Sequence, residues 1–256
     1  MSSRRSRSMV YRIVRRLLDT FYRAPEIIGL ENLPDGPCVI AANHAQLHGP
    51  IQAELFFPGD SSIWCNAETM DIREAPAYAY RDFWPEKPRA LRWLYWIPAY
   101  IVAPILVGVL NSARCIGVYR DLRMRNTIRQ TMDRLQEGAR IIIFPETDPE
   151  LNTILSTFQP RFIDLGPRYE RATGKTLQFV PMYIAPDIRK IVIGKPVAYD
   201  NQADARDERN RICTYLTDAI TELAYSLPLH RVVPYRNIKK KLYPTNERPV
   251  TTSSDR

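Results

Sequence analysis

Val10, Ile13, Val14, Leu17, Leu18 and Phe21 recur at spacings of three and four, which predicts a helix with one apolar stripe near the start of the chain. Arg12, Arg15, Arg16 and Arg23 lie among the remaining positions. Farther on, the apolar runs 38–42, 140–144, 178–184 and 190–194 are bounded by Gly and Pro and read as buried strands. Residues 122–136 read as a helix that closes near Gly138. Residues 203–227 read as another, with Ile212, Leu216, Ala219, Ile220 and Leu223 on one face. Strands alternating with helices predict an α/β body. No internal repeat is visible, and the last dozen residues have the composition of a disordered end.

From Trp93 to Ala113 there is no charged residue. A helix that spans a bilayer needs about 20 such residues, so the length suffices. Pro98 and Pro104 oppose a straight span, because each lacks an amide hydrogen and crowds the preceding turn. The reading favoured is a kinked, half-buried or interfacial segment with Trp93, Tyr95 and Trp96 near head groups. The alternative is a core helix.

Charge locates the surroundings. The chain of 256 residues carries a formal +8, of which residues 1–24 hold +6 and residues 229–256 hold +5, leaving −3 on the body. A nucleic-acid-binding domain carries its positive charge on the folded body. Two basic arms on a faintly acidic body instead suit an anionic membrane surface, with packing of the first helix on the protein's own body as the alternative. Arginines interrupt the first apolar stripe, unlike the continuous block of a secretory signal. Cys38, Cys65, Cys115 and Cys213 form no C-x-x-C pair, so neither a disulfide framework nor a zinc ribbon is expected, and a reducing cytosol fits.

Two of the three histidines, His44 and His48, follow the first predicted strand. A zinc pair is a weak reading, since Pro50 places both before the next helix and no third ligand is near; no metal is expected. Nucleophile elbows and glycine-rich phosphate loops are missing. A histidine between strand and helix can act as a general base, because imidazole titrates near neutrality.

Asn43-His44 after a strand, Ile116-Gly117-Val118-Tyr119-Arg120, Phe144-Pro145-Glu146, Val180-Pro181 and Ile193-Gly194-Lys195-Pro196 occur in that order. Together they resemble the blocks of the glycerolipid acyltransferases, a family that includes lysophosphatidic acid acyltransferase. The resemblance covers roughly residues 31–197. It implies a mixed sheet flanked by helices and transfer of a fatty acyl group in phospholipid biosynthesis. The donor would be an acyl thioester, on coenzyme A or acyl carrier protein, and the acceptor a hydroxyl of glycerol phosphate or a lysophospholipid. His44 would be the catalytic base, with Asn43, Arg120 and Glu146 binding substrate and no cofactor beyond the acyl co-substrate.

Two positions depart from the family pattern. Gly49 stands where the family has an aspartate beside the histidine, and Thr147-Asp148 replaces Gly-Thr. Glu54, Glu146 or Asp148 could substitute for the carboxylate, the histidine could work unassisted, or the protein could bind lipid or acyl carrier without catalysis. A third class is a basic scaffold for membrane or nucleic acid. Plainer roles also stand: Asn43-His44 as a capped turn, Arg120 paired with Asp121, Glu146 as an acid starting a helix. His48 and His230 are expected to be non-catalytic. The expected organisation is a membrane-surface helix at 1–24, an acyltransferase-like α/β domain at 25–228 and a basic tail at 229–256. The expected place is the cytoplasmic face of the cell membrane, peripheral or monotopic, with lipid, acyl donor and acceptor as partners and no nucleic acid.

Overall fold

The computed structural model describes residues 8–82, 88–119 and 121–249. It divides into one unit of Met1–Arg23 and Gln52–Ile143 and another of Ala24–Ile51 and Phe144–Arg256. The elements begin with α1 (Met9–Phe21), β1 (Glu26–Ile28), β2 (Cys38–Ala42), α2 (His48–Phe56), β3 (Ser61–Asn66) and α3 (Ala75–Asp82). Next come α4 (Trp96–Ser112), β4 (Ile116–Val118), α5 (Met124–Gln136), β5 (Arg140–Ile143), β6 (Glu146–Glu150) and β7 (Ser156–Phe158). The chain closes with α6 (Leu165–Thr173), β8 (Gln178–Ala185), β9 (Lys190–Ile193), β10 (Val197–Ala198) and α7 (Ala205–Tyr225). The class is α/β with mixed strand pairing and an N-terminal amphipathic helix, as expected.

In the unit that carries His44, β8 lies between parallel β2 and antiparallel β9. β9 also pairs with parallel β1, and β10 adds antiparallel to β8. Every residue of β2 is buried, as is β8 from Phe179 onward, which explains their continuous apolar runs. α7 covers β8 with Ile212, Leu216, Ile220 and Ala224, one residue per turn and all fully buried. Each such Leu or Ile contributes roughly 1.5–3 kcal/mol by leaving water. Asp204 caps α7 by accepting from the amides of Arg206 and Asp207. Up to Pro249, the segment expected as a basic tail packs on this unit: Val232 and Asn246 are buried and Arg231 bridges to Thr245.

The other unit has parallel β5, β3 and β4 in that order. The polar face of α5 is fastened to them by hydrogen bonds. Thr127 Oγ1 donates to the Gly117 carbonyl at 2.6 Å, and Trp64 Nε1 donates to Thr131 Oγ1 at 2.9 Å. α1 packs on α4 in this unit with its apolar stripe turned outward. Its contact with the body is polar: Tyr11 donates to Glu54, and Arg15 donates to Tyr11 at 3.1 Å and to the Leu55 carbonyl at 3.0 Å. Met9 is 70% exposed and Phe21 81%.

α4 follows the same plan. Ala99 and Ala103, one turn apart and buried, let it approach its neighbours, while Trp93 is 68% exposed and Tyr100 63%. Pro98 falls in the first helical turn, where its missing amide hydrogen has no partner to lose, and Pro104 lies inside the helix. The stretch Leu91–Ser112 is long and apolar enough to cross a membrane by length and composition, and only 11% of its most apolar window is buried. That exposure overturns the core-helix alternative.

Candidate active site

β2 ends at Ala42, and the next two residues are fixed by different means. Asn43 continues the pairing with β8 through its side chain: Nδ2 donates to the Ile184 carbonyl at 2.9 Å and Oδ1 accepts from the Ile184 amide at 2.7 Å. Both ends of this buried amide are thus engaged, so Asn43, expected at the substrate, holds the loop. The His44 amide donates to Glu146 Oε1 at 2.5 Å, and the Ser156 amide to Glu146 Oε2 at 2.7 Å. Glu146 opens β6 rather than a helix and clamps two backbone segments. Burial raises its pKa to about 7 against the opposing pull of those two amides.

Ala45 and Gln46 both take left-handed φ angles, 44° and 54°, which non-glycine residues adopt at a cost of about 1–3 kcal/mol each. The turn then enters α2, with the His48 amide on the Ala45 carbonyl at 3.0 Å and the Gly49 amide on the His44 carbonyl at 3.2 Å. A Cβ at Gly49 would stand 2.4 Å from the His44 carbonyl oxygen and 2.9 Å from that of Asn43. The loop therefore has no room for the aspartate of the family pattern.

The His44 ring lies edge-on to Phe144 at 5.4 Å and to Tyr235 at 5.7 Å between centroids. Among the described residues, its buried Nδ1 has no hydrogen-bond partner. Burial lowers the His44 pKa, and the nearby carbonyls of Gln46 and of His44 itself only partly offset this. The imidazole is accordingly neutral at pH 7, the form that can accept a proton.

None of the proposed substitute carboxylates bonds to that ring. Glu146 bonds the backbone, Asp148 pairs with Arg236 Nε at 2.5 Å, and Glu54 accepts from Tyr11 in the other unit. Asp148, whose charge would repel an acceptor phosphate, is thereby partnered. Arg120 lies outside the described residues, and its neighbour Asp121 pairs with Arg123 at 2.9 Å. A cavity of about 500 Å³ near the ends of β3 and β4 is lined by Asn66, Glu68, Arg73, Glu74, Tyr119 and Arg123, among others. Among the described residues no cluster of three His, Cys, Asp or Glu could hold a metal. His48 is half-buried, with a pKa lowered by burial and by the charge of Lys240. His230 is buried, its Nδ1 2.8 Å from the Pro228 carbonyl and its Nε2 2.9 Å from Tyr183 Oη. Tyr235, Arg236 and Tyr243 were not marked by sequence reasoning; two tyrosines and Val232-Val233 within a nominal tail were the signal.

Two outcomes follow from this geometry. Gly49→Asp is expected to give no gain in any activity of His44 and to lower stability by about 1–3 kcal/mol in urea, since its Cβ cannot be seated. An unchanged midpoint would contradict the crowding. Glu146 has a folded pKa of about 7 against an ordinary 4.5, so the fold favours its neutral form. Its contribution is full below 4.5 and declines as pH rises through 7, by at most about 3 kcal/mol. Urea unfolding at about pH 5 and about pH 8 should show that decline in the parent and a flatter response in Glu146→Gln; parallel responses would refute it.

No protein-family model and no curated protein matches the chain. Among solved structures, the chain is similar to the 1-acyl-sn-glycerophosphate (LPA) acyltransferase PlsC from Thermotoga maritima. The identity is 16% and the TM-score 0.48, over 84% of this chain and 78% of that one.

Proposed function

We propose that this protein is an O-acyltransferase that moves a fatty acyl group from a thioester to a hydroxyl of glycerol phosphate or a lysophospholipid. The observation that carries the reading is His44, a neutral, largely desolvated imidazole at the carboxyl end of a parallel strand, set among motif blocks in the family's order. The His44 ring takes the acceptor's hydroxyl proton as its oxygen attacks the thioester carbonyl. The carbon–sulfur bond then breaks, and the leaving thiolate takes the proton back from the imidazolium. No acyl-enzyme forms, so no protein nucleophile is required. Arg120, by its place in the second block, would bind the acceptor phosphate, a task for which guanidinium geometry is suited. The donor is acyl-CoA or acyl carrier protein, with no further cofactor.

The outward apolar faces of α1 and α4 support attachment to a membrane, which on this reading is its cytoplasmic face, where substrates with acyl chains are presented. One observation favours a second reading. The unpartnered Nδ1 leaves an imidazolium without the carboxylate that normally stabilises it, which suits a protein that binds acyl groups without transferring them.

His44→Ala is expected to lower acyl transfer from labelled acyl thioesters by at least about 100-fold. Equal rates in parent and variant would remove His44 from the reaction, and acyl-thioester binding without turnover in the parent would select the second reading. Leu17→Glu with Phe21→Glu is expected to abolish co-sedimentation with phosphatidylglycerol vesicles. Retained sedimentation would remove the α1 stripe from membrane attachment.

A further inference from the structure

Between His230 and Asn246 the chain leaves the body and returns, an Ω-loop whose ends are close. Its neck is built into the core. The His230 amide donates to Asn246 Oδ1 at 2.8 Å, the Asn246 amide to the His230 carbonyl at 3.2 Å, and Asn246 Nδ2 to the Ala224 carbonyl at 2.8 Å. The Pro228 carbonyl can only accept, so His230 Nδ1 carries the proton and Nε2 accepts from Tyr183 Oη.

The remainder of the loop lies against the His44 turn by weaker means. Tyr235 packs edge-on to the His44 ring, Gln46 Nε2 donates to the Arg236 carbonyl at 3.2 Å, and Tyr243 Oη donates to Gln46 Oε1 at 3.2 Å. The Arg236–Asp148 pair is half-exposed, where ion pairs hold little. The residue gripped twice, Gln46, is one of the two in a left-handed conformation, so release of the loop also frees a strained turn. With the loop in place, Nδ1 of His44 is closed off from solvent.

The outer end of the loop carries Lys239, Lys240 and Lys241, all exposed, followed by Leu242 at 60% exposure. Among the described residues none of the three lysines is in an ion pair. A run of lysines beside an exposed leucine suits the phosphates and the acyl boundary of an anionic lipid surface, where each lysine adds attraction and the leucine inserts. We propose that residues 234–243 are a lid over the His44 turn, hinged on the anchored Arg231–Val233 and Pro244–Thr245 segments, that Lys239, Lys240 and Lys241 form a binding site for the phosphate groups of an anionic lipid surface, and that its occupancy lifts the lid. The proposal gives the reading of His44 as an acyl-transfer base a means of restricting that base to the membrane.

Hydrogen exchange of the full chain tests the lid without turnover. Phosphatidylglycerol vesicles should speed exchange of residues 234–243 by about tenfold, while α7 and the His230–Asn246 neck, with Val232 and Val233, stay protected. Phosphatidylcholine vesicles should leave it unchanged. Tyr243→Phe, which removes the hydrogen bond to Gln46 Oε1, should exchange faster in the loop with no vesicle present. The triple variant Lys239→Gln, Lys240→Gln, Lys241→Gln should still sediment with anionic vesicles through α1 yet keep the loop protected; protection of α7 in the same spectra shows that it is folded. Unchanged exchange in the parent, or opening of the triple variant, would overturn the proposal. Opening by millimolar pyrophosphate to the same extent as by vesicles would overturn the lipid assignment. If the loop opens on vesicles but no acyl transfer is found, the lid stands and the acyltransferase reading falls.

Discussion

A carboxylate removed from water and facing two backbone amides holds the His44 turn in place. Glu146 is buried, and its oxygens take the amides of His44 and Ser156. Burial disfavours its charge while the two donors favour it, and the balance leaves a pKa of about 7. Burial, and after it the same charge, push up the pKa of Tyr183, whose hydroxyl meets His230 at the neck of the Ω-loop. One carboxylate thereby connects the turn that carries the base with the anchorage of the segment that covers it.

The other unit illustrates a different constraint. A helix of a water-soluble protein turns its apolar stripe inward. α1 instead turns inward the phenol of Tyr11 and the guanidinium of Arg15, which satisfy one another and Glu54, and leaves Phe21, Met9 and Leu17 outside. α4 can lie close to its neighbours because alanines are the residues it buries. An outward stripe on one helix could be incidental, but two packed helices that both do this make a continuous claim on an apolar environment.

What the chain pattern disclosed depended on whether a segment is held by burial or by polar contacts. β2, β5, β8, β9 and α7 were legible because continuous or one-faced apolar runs reflect the surfaces they bury, and α5 by its helix-forming composition and the closing Gly138. β3 escaped, since its Ser62 is fully buried and takes a hydrogen bond from Arg134, a tertiary contact with no local signature. β6 reads Glu-Thr-Asp-Pro-Glu and pairs with β7 despite its charge. Within the site, His44 and Glu146 were found by pattern, but the role of Glu146 was not, because spacing does not reveal whether a carboxylate meets a ring or a backbone amide. Gly49 reads in sequence as a missing aspartate; in space it is the residue that lets the turn close on its own carbonyls. Residues 229–256 read as a basic tail because seven basic residues stand there against two acids, while a few buried groups, His230, Val232 and Asn246, decide the position of the stretch between them.

These observations bear on what His44 can do as it stands. Proton uptake would place a cation where burial already lowers the pKa, with no acceptor on Nδ1. Both oppose an imidazolium, and the nearby carbonyls of Gln46 and His44 offset this only in part, so the arrangement keeps the ring neutral. On the lid proposal, displacing Tyr235 admits water or a substrate hydroxyl, which can accept from Nδ1 or donate to Nε2. On the proposed acyl-transfer reading, a site with glycine at position 49 works only if the cation is short-lived, discharged to the thiolate as soon as the carbon–sulfur bond breaks. The covered histidine and the absent carboxylate are therefore one problem, and opening the cover is the step that both require.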